Sequence, residues 1–377
     1  MPNTFTAIQP LLFSVAQEVS NEPTGVLQAI DMRFDDKQVA IGDIVRVPVA
    51  PVATSATYTP AMTVTAGSDL VASSVDVQIT GNEVVSWHLT GEQMLSLQNG
   101  AEDNEWIRQV VAQAMRKLRN NAEAAAATAV KVGASRAFGT AGTTPFASDL
   151  SALTNVRKIL QDNGAPLVDL QAVVDTSAAL NMRNLGVVQN VYQAGSDAER
   201  RSGNLLRQMG FAIGESAQLA THTKGTGASY VTSGSTAPGT TGIALITGTG
   251  TVLAGDVVTF AADTANKYVV GTGVAAPGTI QLNRPGARVT IATANALTVG
   301  NNYVPNLAFE RTAVVGIMRP PMIPVGGVIT RTTTISDSNG LTYLLVEAIG
   351  DGMITWRLHL AYGFKVVQPE HVAIILG

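Results

Sequence analysis

No cysteine occurs among the 377 residues, which excludes disulfides and thiolate chemistry and leaves the redox compartment undetermined. Charge is scarce as well. Asp, Glu, Lys and Arg make up 14% of the chain, against roughly a quarter in typical soluble proteins. The formal net charge of −4 supplies no basic field to hold nucleic acid by counterion release. A protein of this composition working near DNA encloses it rather than grips it. No Lys or Arg precedes the short apolar run of the N-terminus, so this is not a secretory signal. No window has the unbroken apolar length of a membrane helix. The expectation is a soluble protein, made and used in the cytoplasm. At 377 residues it has room for two or three domains and a substantial core. So little charge on so long a chain implies surface buried against other subunits. The competing explanation is solvation by Thr, Ser, Asn and Gly.

The components of catalysis are missing too. His88, His222, His359 and His371 are scattered, with none three to five residues from another, so no zinc or triad spacing exists. No glycine is followed by lysine, which rules out a P-loop. Gly-Thr-Gly at 248–250 and 271–273 lacks the third glycine and acidic partner of a dinucleotide fold. Asp35 and Asp36 sit in a charged turn, and no N-x-[ST] sequon occurs. The basic clusters, Arg116-Lys117-x-Arg119 and Arg200-Arg201, lack the interleaved aromatics of a nucleic-acid platform. No catalytic, cofactor-binding or metal residue is expected.

What the chain does have is a rod. Asn104 to Val132 contains neither proline nor glycine, and Ile107, Val111, Ala114, Leu118, Ala122, Ala125, Ala129 and Val132 recur at helical spacing. Arg108, Arg116, Arg119, Asn120 and Glu123 fall mostly elsewhere on the wheel. Acids crowd its start and bases follow, as the helix dipole prefers. Its length is about 43 Å at 1.5 Å per residue. Bulky residues give way to alanines from Ala122 on, predicting close approach of another backbone. A long core helix in an ordinary α+β protein satisfies the same pattern.

Before the rod, residues 1–37 read as an arm, broken by Pro10, Pro23 and Gly25 and too poor in apolar residues for a core of its own. Val45, Val47 and Val49, then Val75, Val77 and Ile79, alternate as two strands of a long hairpin with a Pro/Ala/Thr/Gly tip. Val85, Trp87 and Leu89 continue the alternation into Thr90-Gly91-Glu92-Gln93, a capping-box pattern. After Gly133 the pattern is mixed: helices over 149–162 and 176–183, an amphipathic 197–209, and strands over 171–175 and 211–219. From Gly225 to Gly300 only Asp256, Asp263, Lys267, Arg284 and Arg288 are charged. Short strands there, at 243–247, 257–260, 268–270, 279–282 and 289–292, predict a small all-β barrel or sandwich inserted into the preceding unit. The α/β pattern resumes at 307–318. Strands at 328–335, 342–348 and 353–361 then form a meander, and 373–376 a last strand.

This order of parts, together with the stretches EVSNEPTG (18–25), VRVPVAP (45–51), VSWHLTGEQMLSL (85–97), RAFGTAGTTPF (136–146), AGSDAERRSGNL (194–205), LATHTKGTG (219–227), LAGDVVTFAADTANKYVV (253–270), LAFERTAVVGIMRP (307–320) and WRLHLAYGFKVVQPE (356–370), resembles the major capsid (coat) proteins of tailed bacteriophages. The resemblance is to the Hong Kong 97-like fold, in the short-tailed-phage branch that carries an inserted β-barrel domain. It implies an α+β chain with an N-terminal arm (1–37) and an E-loop hairpin (38–90). A P-domain would take 91–133, with its spine helix at about 104–132, and 325–362. An A-domain would take 134–222, 303–324 and 363–377, and the insertion domain 223–302. It implies self-assembly into hexamers and pentamers of an icosahedral shell enclosing double-stranded DNA without sequence-specific binding, located in the virion and assembled in the bacterial host cytoplasm. Because the sequence starts at the arm, a separate scaffolding protein is implied; the resemblance also implies a portal, with a decoration protein as a possible further partner. Some family members cross-link through an E-loop lysine. No lysine lies between Lys37 and Lys117, so none is expected here.

Rival readings are an encapsulin-type cellular compartment, a β-rich tail or adhesin protein, and a hydrolase with a convergent site tested by His222→Ala. The β insertion argues against the first, and the rod is left without purpose in the second.

Overall fold

The structure, a computed structural model, describes residues 23–34, 42–49, 60, 73–93, 103–189, 205, 207–275, 277–336 and 341–377. The first 22 residues of the arm, nearly all of the hairpin tip, most of the 197–209 stretch and the turn at 338–340 lie outside these. Helices and strands both contribute, and the architecture is α+β.

The rod is one helix, Asp103–Gly133, as its uninterrupted helix formers predict. One side of it lies on a six-stranded sheet in which Asp31–Phe34, Val314–Met318, Met353–Val366, Thr342–Gly350 and Ile329–Ser336 are neighbours in that order. The first pair is parallel, the rest antiparallel. Gly81–Thr90 runs along Met353–Tyr362, bringing Trp87 opposite Trp356 with ring centroids 6.5 Å apart. Leu89, Trp356, Leu358 and Leu360 join Val111, Ala114, Met115 and Leu118 of the rod in one buried cluster. Thr90 caps as expected: its N–H donates to Gln93 Oε1 at 3.0 Å and Gln93 N–H donates to Thr90 Oγ1 at 3.3 Å.

Backbone pairing divides two of the expected ranges. Gly81–Thr90, placed with the hairpin in the sequence, is bonded to Met353–Tyr362 instead. The segment at 303–324 supplies Pro305–Glu310 to one sheet and Val314–Met318 to the other. Strand alternation identifies strands but not partners, because it fixes which face is buried and not which edge the strand joins. The hairpin proper pairs Ile44–Val49 with Ser73–Gln78, and its base packs Val47, Val77 and Ile79 against Val315, Ile317, Ala361 and Val367.

The second sheet runs from the short edge strand Arg207–Gln208 through Phe211–Ser216, Leu170–Asp175, Pro305–Glu310, Val372–Leu376 and Arg136–Gly139, side by side. Pro305–Glu310 and Val372–Leu376 are buried throughout, and the second is the continuous apolar run of a strand covered on both faces. Ser151–Asp162 covers one face through Leu153, Val156 and Leu160. The last strand thus sits at the centre of the sheet.

Beyond Arg136–Gly139 the ladder continues into Asp263–Thr272, Thr279–Leu282, Gly242–Ile246 and Val231–Thr232. Asp263–Thr272 also pairs Val257–Phe260, which pairs Leu297–Val299. A bridge from Val231 to Ala296 closes the ring, with Leu297 N–H donating to Tyr230 O at 2.9 Å. These strands enclose a core of their own that includes Tyr230, Ile243, Phe260, Tyr268, Ile280 and Ile291. The strand expected at 289–292 is absent: Ile291 makes only an isolated bridge to Thr236. Left-handed residues at Gly286 (φ 82°) and Ala294 (φ 57°) bend the chain too often there for a ladder.

Candidate functional site: the rod, its clamp and its open groove

The rod's buried face turns along its length. Val111, Ala114, Leu118 and Ala122 are buried as expected, but Ala125, Ala129 and Val132 are not; Ala126, Ala127 and Val130 replace them. Residues taken at seven-residue steps drift by about 20° per heptad on a straight 3.6-residue helix, so 111, 118, 125 and 132 leave the contact line. The partner changes as well, from the six-stranded sheet to the larger one.

Arg119 and Glu123, expected among the residues off the apolar face, are both buried. The leading segment explains this. Thr24 bridges Ser216, Gly25–Ala29 forms a short helix, and Val26 and Ile30 are fully buried. Glu123 accepts from Val26 N–H at 2.8 Å and Leu27 N–H at 2.9 Å, while Arg119 donates to Thr24 Oγ1. Burial pushes the Glu123 carboxyl above its ordinary range; the two backbone bonds, Ser216 and Arg119 act against that shift. Gly25 is required by space: a Cβ there would lie 2.7 Å from the Glu215 carbonyl oxygen. Residues 23–34 of the arm are therefore part of their own subunit, pinned between rod and sheet. The sequence signal was present in Pro23-Thr24-Gly25 and in Val26 and Ile30, but it was too short to separate from an arm.

At the rod's far end the barrel supplies the cap. Asn283 Nδ2 donates to Val132 O at 2.6 Å and to Ala134 O at 2.7 Å, satisfying carbonyls that a helix end leaves open. The chain enters and leaves the barrel through a paired neck in which His222 N–H donates to Tyr303 O at 2.8 Å.

The alanines that leave the buried face line a groove of about 830 Å³, walled opposite by Tyr362, Phe364, Lys365 and Val366. Tyr362 OH donates to Glu83 Oε1 at 2.6 Å, and Asn121 Nδ2 donates to Glu83 Oε2. The alanine end does lie against other elements, through Ala122, Ala126, Ala127 and Val130 on the larger sheet and Glu123 under the backbone of Val26 and Leu27, while Ala125 and Ala129 face the groove.

The histidines do not converge. His88 is exposed. His359 and His371 are half-buried, and burial pushes both below the ordinary imidazole range. His222 Nε2 lies 2.9 Å from Asp256 Oδ1, a buried pair that no local motif announces because 34 residues separate them. Asp256 also accepts from Gly225 N–H at 3.1 Å and Leu253 N–H at 2.8 Å, so the pair braces the neck. The hydroxyl beside this ring is Tyr303, which donates to Gly255 O at 2.6 Å and is pushed far above its ordinary range by burial and Asp256. A phenol so held is a poor nucleophile. Among the described residues no group of three or more potential ligands gathers to hold a metal, and no helix is long and apolar enough to cross a membrane.

No protein-family model and no curated protein sequence matches this chain. Solved structures do. The capsid of cyanophage P-SCSP1u is 12% identical, with a TM-score of 0.52 over 95% of this chain and 89% of that one. Mycobacterium phage Che8 is 14% identical, with a TM-score of 0.49 over 89% and 84%. The capsid of a native GTA particle is 10% identical, with a TM-score of 0.48 over 95% and 91%. At 12% identity the cyanophage match establishes the fold: the chain has, nearly end to end, the fold of a phage capsid subunit.

Proposed function

We propose that this chain is a major capsid protein that self-assembles into the icosahedral shell of a tailed phage enclosing double-stranded DNA. The observation that carries the reading is the agreement with the cyanophage capsid over 95% of this chain and 89% of that one. An enzyme reading has no comparable support, since His222 and Asp256 serve the barrel neck.

In this reading the rod is the spine helix of the P-domain, and the meander is its sheet. The sheet around Val372–Leu376 is the A-domain, and the closed ring of strands between Lys224 and Tyr303 is the insertion domain. The arm before Pro23 and the hairpin tip contact neighbouring subunits. Ring contacts in hexamers and pentamers are heterologous, and one pair of surfaces must close both. Avidity lets each contact be weak, because a subunit meets several neighbours at once. A low charge content suits that use, because desolvating few ions costs little. With no lysine between Lys37 and Lys117, the shell holds by non-covalent contacts. A scaffolding protein and a portal are the assembly partners, a decoration protein a further one, the host cytoplasm the place of assembly and the virion the final location.

Electron microscopy of the purified protein, expressed alone and with the scaffolding candidate from the same genome, tests the reading. Closed particles of uniform diameter are expected. A chain that stays monomeric in both preparations at every concentration overturns it.

A further inference from the structure

Three unusual features meet where Leu170–Asp175 and Phe211–Ser216 begin side by side as parallel strands. The first is exposure: Val168 is 76% exposed, Met209 43% and Leu167 42%. The second is backbone conformation. Gln208 pairs with Phe211, leaving Met209-Gly210 as a two-residue hairpin loop with φ of 51° and 91°. Positive φ at both positions is the geometry that Asn-Gly or Asp-Gly adopts readily, and methionine is a poor choice for it. Asp169, next to Val168, is also left-handed, at φ 57°. The third is charge. Arg207 and Arg311 approach Asp169 at 3.9 and 3.8 Å, and Arg157 donates to Met209 O at 2.6 Å. Two guanidinium groups thus flank the Asp169 carboxylate and a third holds the neighbouring turn, on a chain whose net charge is −4.

A turn position that favours asparagine carries instead a flexible apolar side chain, held outward and ringed by arginines. The turn's own geometry does not favour that choice. Methionine and arginine are also residue types enriched where proteins meet. We propose that Leu167, Val168 and Met209, ringed by Arg157, Arg207 and Arg311, form a docking surface for a second copy of this chain that presents carboxylates beside apolar side chains. The occupant follows from charge: the patch is positive by two, and a second copy is on balance negative. This inference rests on the self-assembling reading above.

Met209→Asn separates folding from docking, because it improves the turn while removing the apolar contact. The expected result is a raised Tm for the subunit, together with an increase on the order of tenfold in the protein concentration needed for closed particles. Arg207→Glu with Arg311→Glu should weaken assembly further with the circular-dichroism spectrum unchanged. Parent-like assembly of both variants, while the parent itself forms shells, overturns the patch and leaves the capsid reading intact. A parent that never forms shells overturns both. Parent-like shells that lose only their binding to a co-expressed second protein would assign the surface to that protein and overturn the second-copy occupant.

Discussion

The side-chain amide of Asn283, in the barrel, donates at 2.6 Å to the carbonyl oxygen of Val132 in the last turn of the rod, 151 residues away. A helix of 31 residues thus borrows its C-terminal cap from a ring of strands with a separate core. The barrel is coupled to the rod at the helix end, and to the larger sheet through the strand pairs Lys267–Ala137 and Tyr268–Arg136.

Asn283→Ala should therefore destabilise the rod rather than the barrel. Losing two bonds to helix-end carbonyls costs about 2 kcal/mol. Asn283→Asp should cost more, since a carboxylate faces the negative end of the helix dipole. Denaturant unfolding measures the loss, and amide exchange near Val132 should rise while exchange in the barrel core holds. Parent-like exchange at the rod end would refute the cap.

Glu123→Ala should cost about 3 kcal/mol or more, because two buried N–H groups lose their acceptor and Arg119 loses the facing carboxylate. The clamp also has a pH signature. With the folded-state pKa raised above its unfolded value of 4.5, the folded chain holds this proton to higher pH. That contribution is complete below pH 4.5 and is lost as pH rises through the folded pKa. Glu123→Gln removes this term, so unfolding free energy against pH should be flatter for the variant across that window. Superimposable curves would sink the assignment.

Rod register is tested by neighbouring alanines. Ala126→Leu meets a filled interior and should cost about 1–3 kcal/mol, whereas Ala125→Leu points into the groove and should cost under about 0.5 kcal/mol. Leu118→Asp, with the parent side chain 1% exposed, should abolish the folded subunit by at least about 4 kcal/mol. Thermal melts rank the three, and equal costs at 125 and 126 would contradict the turning contact line.

Deleting Pro51–Leu70 should leave a folded subunit that assembles poorly. The hairpin base is held by Val47, Val77 and Ile79 against the six-stranded sheet, so shortening the tip leaves that cluster in place. Normal shells from the deletion would remove the tip from the interface.

Reading the chain alone located the rod to within a residue at each end and identified the capping box at Thr90, the hairpin strands and the meander. Each rests on local physics: helix propensity, alternation and turn chemistry act between residues close in sequence, and no distant partner is needed to see them. Sequence also identified the all-β stretch, because its loss of charge and its turn spacing are compositional. Tertiary structure alone decided the partners. Arg119 and Glu123 have the character of solvent-facing residues until Thr24, Val26 and Leu27 arrive from nearly a hundred positions away. His222 meets Asp256, and Asn283 meets the rod, only because a ring of strands closes. A hydrogen bond between residues far apart in the chain leaves no periodic trace, and strand alternation is blind to which edge a strand will join. Those contacts exist only once the fold has brought their residues together.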